Sequence, residues 1–86
     1  MIITRNPSIY SKKINDKWII LEPNKEYTRE LNNVASFIWE TIKDPIDEVD
    51  LINKICQAYS VKKTQASKDL NIFLSEFIKE KFIINK

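Results

Sequence analysis

The amino-acid sequence predicts an α+β fold in which a small sheet precedes three helices. Residues 9–31 have no helical period, and their apolar side chains fall in short runs rich in β-branched and aromatic residues, as in strands. From Asn32 onward the apolar residues recur every three to four positions, as in amphipathic helices. A chain of 86 residues, 43% of them hydrophobic, has length for one packed core, so residues 1–86 are expected to form a single domain.

Three segments are predicted as strands, at residues 8–13, 17–22 and 26–31. Asn15-Asp16 is the predicted turn between the first two, although the glycine that is usual in such turns is absent. Pro23-Asn24 separates the second strand from the third. The three strands are therefore expected to form an antiparallel sheet at the start of the chain.

The second predicted strand is apolar on both faces. Trp18 and Ile20 lie on one face, and Ile19 and Leu21 lie on the other. A strand in the middle of a sheet that is covered on both sides has this pattern.

The third predicted strand alternates in polarity, which favours a sheet edge. Tyr27, Arg29 and Leu31 share one face, and Thr28 and Glu30 share the other. An edge strand offers backbone N–H and C=O groups to a partner strand, whose alternate side chains can enter pockets. The residues from Tyr27 to Leu31 therefore permit the addition of a further strand.

Capping and breaking residues define the predicted helices. Asn32 is the predicted N-cap of the first helix, because its side chain can accept a hydrogen bond from a free N–H of the first turn. Pro45 ends that helix, and Asp47 is the predicted cap of the second. The third helix is predicted at residues 64–81, and residues 82–84 are predicted as an extended segment packed on the body.

Each helix has a broad apolar face, which so small a fold needs in order to form a core. The face of the first helix comprises Leu31, Val34, Ala35, Ile38 and Ile42, flanked by Phe37 and Trp39. The face of the second comprises Val49, Ile52, Ile55, Cys56 and Tyr59, broadened by Leu51 and Ala58. The face of the third comprises Ala66, Leu70, Phe73, Leu74, Phe77 and Ile78. Aromatic side chains at helical spacing are usually interior, so Phe37 and Trp39 are both expected in the core.

The composition argues against catalysis. The chain has no histidine, which is the commonest general base and metal ligand, and no glycine for a phosphate-binding loop. Its single cysteine, Cys56, has no second cysteine with which to form a disulfide and no imidazole to activate it. We therefore expect a binding protein rather than an enzyme, with no metal and no cofactor.

The chain lacks the sequence features of membrane and exported proteins. It has no run of 18 apolar residues, and its first residues lack the basic start and apolar stretch of a signal peptide. We therefore expect a cytoplasmic protein.

Three stretches of the helical half together resemble a known family. They are "ELNNVASFIWETI", "DEVDLINKICQAYSV" and "ASKDLNIFLSEFIKEKFI". The matching positions are Leu31, Asn32, Ala35, Phe37 and Trp39 in the first stretch, Tyr59 and Val61 in the second, and Asp69, Leu70, Phe73 and Leu74 in the third. In their order and spacing, and over about residues 7–84, the chain resembles the PqqD-like family, the peptide-recognition domains of ribosomal-peptide (RiPP) modification pathways.

The resemblance implies a winged helix-turn-helix-like fold, with a three-stranded antiparallel N-terminal sheet packed on three α-helices. It also implies that the protein binds the leader of a precursor peptide as an extra strand and presents it to a modifying enzyme or leader protease. Pathways with such domains include those of radical-SAM enzymes, lasso-peptide proteases and cyclases, and cyclodehydratases. The implied peptide-binding residues are Tyr27, Thr28, Arg29, Glu30 and Leu31 on the third strand, and Asp69, Ile72, Phe73 and Glu76 on the third helix.

The third helix has residues suited to one wall of such a groove. At 100° per residue, Asp69, Ile72 and Glu76 fall on one flank of its core face, with Phe73 at the margin. An apolar floor bordered by carboxylates would receive an apolar side chain with a Lys or Arg nearby. The alternative interpretation is that Ile72 is a single exposed apolar residue and that the acids form a solvated helix face.

The rival function is nucleic-acid binding, because winged-helix folds often place their third helix in the major groove. The start of this helix has the polar residues Lys62, Lys63, Gln65 and Lys68. Against this, the net charge is only +2, and Asp69, Glu76 and Glu80 would repel phosphate. We therefore expect a monomer or weak homodimer that binds neither nucleic acid nor membrane. A subunit that merely stabilises a larger enzyme is a third possibility.

Overall fold

The computed structural model describes residues 1–21 and 28–85, which form three α-helices and two small antiparallel sheets. The elements in chain order are β1 (Ile2–Arg5), β2 (Tyr10–Ile14), β3 (Lys17–Leu21), β4 (Thr28–Glu30), α1 (Asn33–Thr41), β5 (Ile46–Asp47), α2 (Glu48–Tyr59), α3 (Lys63–Lys79) and β6 (Ile83–Asn85). The predicted α+β class, with strands before helices, is confirmed.

The predicted N-terminal sheet is the one in which β3 lies between β2 and β4. Its register pairs Ile20 with Arg29 across β3 and β4. Asn15 and Asp16 join β2 to β3 with positive φ angles of 50° and 67°. Asn and Asp tolerate this left-handed conformation better than other non-glycine residues, so the tight turn forms without glycine. The predicted turn and the edge position of β4 are both confirmed.

A second sheet, in the order β5-β1-β6, was not predicted. Residues 2–5 and 46–47 had no strand assignment, and the chain end was expected only to be extended. The structure pairs Thr4 with Ile84 and Ile3 with Ile46, so this sheet joins the two ends of the chain. Strands of two to four residues give little periodic signal, and pairing across 80 residues has no local sequence signature.

The helix ends follow the predicted caps in part. The side chain of Asn32 accepts a hydrogen bond from the Ala35 N–H at 2.9 Å, as expected. Asp47 is at the N-cap of α2 but makes no side-chain hydrogen bond there. Helix α3 ends at Lys79, two residues earlier than predicted, because Lys81 adopts φ 61°. The Phe82 N–H then donates to the Phe77 carbonyl at 2.9 Å, which closes the helix in a Schellman motif.

The core lies between the helices and one face of each sheet. Its buried apolar residues are Ile3, Ile20, Leu31, Ile38, Trp39, Ile42, Leu51, Ile55, Ala66, Leu70, Phe73, Leu74, Phe77, Phe82 and Ile83. Trp39 is fully buried, and its indole N–H donates to the Ser11 hydroxyl at 3.0 Å. The core prediction for Trp39 is therefore confirmed.

Several predicted core positions are less buried than expected. Phe37 is half-buried and packs edge-to-face with Tyr59, their ring centroids 5.6 Å apart. Val49 is 62% exposed, because α2 turns Leu51 and Ile55 rather than Val49 toward the core. Ile78 on α3 is also exposed, as are the β3 residue Leu21 and the α2 residue Ala58. The apolar faces of β3, α2 and α3 are thus wider in the sequence than the surfaces that their neighbours cover.

Arg5 links the two sheets through an aromatic contact. Its guanidinium lies 4.6 Å from the ring centroid of Trp18 and 4.8 Å from that of Trp39. Its Nε donates to the Trp39 carbonyl at 2.7 Å. Burial lowers the pKa of Arg5, and the nearby Glu40 partly opposes that shift. None of the helices in the described residues is both long and apolar enough to cross a membrane.

Candidate functional site

A groove of about 270 Å³ lies between α1 and α3, close to the point where β4 ends. Its lining residues are Asn32, Val34, Ala35, Ile38, Asp69, Ile72, Phe73, Glu76 and Phe77. The floor is apolar and well packed, because Ile38, Phe73 and Phe77 are all buried. The predicted α3 residues Asp69, Ile72, Phe73 and Glu76 are all brought together here.

A row of aromatic rings supports the floor of the groove. Phe73 and Phe77 stack with ring centroids 3.9 Å apart. Phe77 in turn contacts Phe82 edge-on at 5.4 Å, and Trp39 at 5.9 Å. Aromatic contacts of this kind add to the burial energy of the rings, so the floor is formed before any ligand arrives.

Ile72 stands at the rim of the groove and is 60% exposed. It also borders a wider hollow, of about 910 Å³, on the outer side of α3. The other residues that line this hollow are Thr64, Ser67, Lys68, Asn71, Ser75, Glu76 and Lys79. Among the residues that line the wider hollow only Ile72 is apolar, whereas the smaller groove has three buried apolar residues in its floor. The smaller groove is therefore better suited to bury an apolar side chain.

The two carboxylates at the groove rim already have protein partners. Asp69 accepts a hydrogen bond from the Gln65 amide at 2.9 Å. Glu76 accepts one from the Arg29 guanidinium at 2.6 Å and so forms an ion pair with the edge strand. No group of three or more His, Cys, Asp or Glu residues in the described ranges is placed to hold a metal ion.

The side chains and backbone groups of the edge strand β4 alternate in direction along the strand. Arg29 lies opposite the buried Ile20 and faces the body, whereas the side chains of Thr28 and Glu30 are exposed. The Leu31 N–H donates to the Trp18 carbonyl at 2.9 Å, so the backbone groups of Leu31 and Arg29 face β3. The backbone groups of Thr28 and Glu30 therefore point away from β3, toward the side on which no strand of the described residues pairs with β4.

The remaining predicted site residues have different positions. Leu31 is 3% exposed, so its side chain belongs to the core rather than to the groove. Tyr27 lies outside the described residues. The residues of the rival nucleic-acid interface, Lys62, Lys63, Gln65 and Lys68, are all exposed, but Gln65 donates to Asp69. An acid therefore lies within the same turns of α3 as these lysines.

The sequence has relatives in a known protein family. It matches the family described as "Coenzyme PQQ synthesis protein D (PqqD)" over residues 17–83, which include β3, β4 and all three helices. The chain belongs to the PqqD family. No curated protein matches it. The resemblance inferred from the motifs of the three helices is thus confirmed.

A solved structure shares this PqqD-family fold. It is described as "TbiB1 in Complex with the TbiA(beta) Leader Peptide" and superposes with a TM-score of 0.84. The alignment covers 96% of both chains at 22% sequence identity. At this identity the likeness shows the fold, and it agrees with the predicted three-stranded antiparallel sheet and three helices.

The part that α1 plays in this groove was not predicted from the sequence. Val34, Ala35 and Ile38 line the groove, but all three were assigned to the core. Only Ile38 is fully buried, and Val34 and Ala35 are half-buried. The apolar stripe on α1 is wider than one helix–helix contact can cover, and this width is the sequence feature that indicates the groove. The apolar residues outside the contact leave apolar surface beside it.

Proposed function

We propose that this PqqD-family protein binds the leader segment of a ribosomally synthesised precursor peptide and presents it to a modifying enzyme or leader protease. The observation that carries the proposal is the apolar groove beside the open edge of β4. The structural neighbour described with a leader peptide supports the same class of ligand. We further propose that residues 1–86 act as one non-catalytic domain in the cytoplasm, where precursor peptides are translated.

The proposed binding mode is the addition of a strand to β4. The outward backbone groups of Thr28 and Glu30 would pair with the peptide, because they point away from β3. Alternate side chains of an added strand share one face, so every second peptide residue would point toward the body. These residues would meet Ile72 at the rim and Phe73 on the floor.

The energies of these contacts suit a transient complex. Each backbone hydrogen bond contributes roughly 0.5–1.5 kcal/mol net. Each apolar side chain that is fully buried adds about 1.5–3 kcal/mol. After the cost of ordering a flexible peptide, two or three such anchors correspond to a Kd near micromolar, which is about −8 kcal/mol.

Charge would select among peptides with similar apolar anchors. Asp69 lies at the rim beside Ile72, and a Lys or Arg of the peptide near this anchor would face it. Glu76 is on the same rim, but its carboxylate is paired with Arg29. We therefore assign most of the preference for a basic residue to Asp69. Rim charges of this kind affect association rate more than affinity.

Peptide selection followed by mapping tests this proposal. A phage library of random linear peptides, about 15 residues long and thus longer than one strand, would be selected on the immobilised protein. Selected peptides should share apolar residues at alternate positions with a basic residue nearby. In NMR titrations they should shift the amide signals of Thr28, Glu30, Ile72 and Phe73.

Two outcomes would contradict the proposal. Selected peptides that perturb only Lys62, Lys63 and Lys68 would place the site at the start of α3. Binding to random duplex DNA that weakens steeply with salt would favour the nucleic-acid alternative, because phosphate contacts release counterions.

A further inference from the structure

An ion pair joins the edge strand to the helix that forms one wall of the groove. The Arg29 Nη1 atom lies 2.6 Å from Glu76 Oε1, which is the distance of a strong charge-assisted hydrogen bond. The Arg29 side chain is 25% exposed and that of Glu76 is 54% exposed. The contact joins β4 to α3 across 47 residues of sequence.

Arg29 also touches the aromatic row that supports the groove floor. Its guanidinium lies 5.3 Å from the ring centroid of Phe82. Phe82 contacts Phe77, and Phe77 stacks on Phe73, the floor residue. One side chain of the edge strand therefore contacts both a rim residue, Glu76, and the far end of the row beneath the floor.

We infer that Arg29 and Glu76 are positioning residues, whose ion pair sets the spacing between β4 and α3. This inference rests on the proposed function. Backbone hydrogen bonds hold β4 within its sheet, but they do not fix its distance from α3, which depends on side-chain contacts. A strand added to β4 takes its position from β4, whereas the groove takes its position from α3. The ion pair thus decides where a bound side chain falls relative to Phe73.

The tolerance for error in such an arrangement is small. Binding groups need to lie within about 0.5 Å of the productive geometry, and the described part of β4 has three residues with which to hold its own position. Loss of the Arg29–Glu76 contact would let β4 and α3 shift relative to each other without exposing the core. Peptide binding should then weaken although the fold persists.

A different role for Glu76 is direct contact with a basic peptide residue. The two roles are separated by a double-mutant cycle. If the two residues act through their mutual contact, either single substitution removes the full contribution of the ion pair to peptide affinity. The double substitution then weakens binding no further. If Glu76 and Arg29 each contact the peptide independently, the fold increases in Kd from the two single substitutions multiply in the double variant.

The experiment compares Arg29→Gln, Glu76→Gln and the double variant by calorimetric titration. The probe is a library-selected peptide whose binding Ile72→Asp weakens. We expect each single variant to raise Kd by about fivefold, and the double variant to lie within about twofold of the weaker single. Circular dichroism checks that every variant is folded.

The matched control is the ion pair between Lys13 and Glu40. It also joins a strand of the same sheet to a helix, at 2.7 Å, but it links β2 to α1 and both side chains are exposed. Lys13→Gln, Glu40→Gln and their double variant should change Kd by less than about twofold, as exposed pairs contribute little. Equal losses from the two ion pairs would contradict a specific role for Arg29.

Several results would overturn the inference. Multiplying effects of the two substitutions, or a loss from Glu76→Gln alone, would show direct contact with the peptide. Tighter binding by Arg29→Gln would show that the pair obstructs the groove. A measurement without peptide separates this inference from the proposed function: Arg29→Gln should shift the amide signals of Ile72 and Phe73 in the free protein, and Lys13→Gln should not. Unshifted signals would overturn the inference even if no peptide bound.

Discussion

The two edges of the β2-β3-β4 sheet differ in what lies beside them. The β4 edge, described from Thr28 to Glu30, lies next to a groove floored by Phe73 and Phe77. The β2 edge has five residues and carries Lys12 and Lys13. Lysines on an edge oppose pairing with a further strand. We therefore expect peptide binding at the β4 edge, where an apolar groove lies beside the strand, rather than at the β2 edge.

The charged contacts next to these edges also differ. Lys13 of β2 donates to Glu40 of α1 at 2.7 Å, and both side chains are more than 40% exposed. Arg29 of β4 is more enclosed and lies against Phe82 as well as Glu76. The first pair is an ordinary surface contact, whereas the second lies against the aromatic row beneath the groove.

The largest expected effect concerns the helix behind the groove. Leu70 is fully buried and Leu74 is 6% exposed on α3. Truncating either residue to Ala should lower the free energy of unfolding by about 2–5 kcal/mol, because it removes apolar contacts and leaves a cavity. Urea denaturation measures this change. The matched control is Ile78→Ala on the exposed side of the same helix, which should cost less. Losses under about 0.5 kcal/mol at both leucines would contradict the assigned core face of α3.

The next effect compares the two edges directly. Ile72→Asp should weaken binding of a selected peptide at least tenfold, about 1.4 kcal/mol, because it puts a charge at the apolar rim. Titration calorimetry measures the change. Lys79→Ala, on the outer side of α3, should have almost no effect, and neither should Tyr10→Asp on β2, where Tyr10 is 76% exposed. Weaker binding by Tyr10→Asp but not by Ile72→Asp would place the peptide site at the β2 edge instead of the β4 edge.

A smaller effect is expected from the rim acid of the β4 groove. Asp69→Asn should reduce the association rate of a basic peptide by a few-fold at low salt, with less effect on dissociation. The difference should shrink as salt rises, because exposed charges are screened. Stopped-flow kinetics at two salt concentrations measure both changes. The control is Asp50→Asn on the exposed side of α2. An equal loss of rate in that variant would indicate a general charge effect.

Cys56 should have little effect at either edge. It is half-buried on α2 and contacts the core, and it does not line the groove. Cys56→Ser should therefore keep the Kd for a selected peptide within a few-fold of that of the parent, with some loss of stability from the buried hydroxyl. Titration and urea denaturation report the two quantities. A folded variant that bound no peptide would reveal a reactive role for the thiol.

The smallest expected effect lies beside the β2 edge and depends on pH. The hydrogen bond from Lys13 holds the pKa of Glu40 below its ordinary value of 4.5, with burial as an opposing influence. The resulting stabilisation is present above that ordinary value and is lost as pH falls through the lowered pKa. Lys13→Met should raise the pKa of Glu40 toward 4.5, as followed by NMR titration of its carboxyl carbon. Peptide binding at β4 should not change.

Local signals in the sequence determined the element types and several of their ends. The short-range hydrogen bond from Ala35 to the Asn32 side chain starts α1, and Asn15-Asp16 makes a turn that those two residue types tolerate. The helical period of α3 placed Leu70 and Phe73 in the core. These features depend on residues within a few positions of one another, so the sequence alone was enough to predict them.

Only the tertiary structure decided which apolar surfaces are covered and which groups meet. Phe37 and Trp39 have similar positions in the pattern, yet Trp39 is fully buried because Ser11 accepts from its N–H and Phe77 packs against it. The pairing of β1 with β6 and the contact of Arg29 with Glu76 join residues far apart in the chain. Such contacts depend on how the helices and sheets are arranged in space, and no periodicity within a single segment specifies that arrangement.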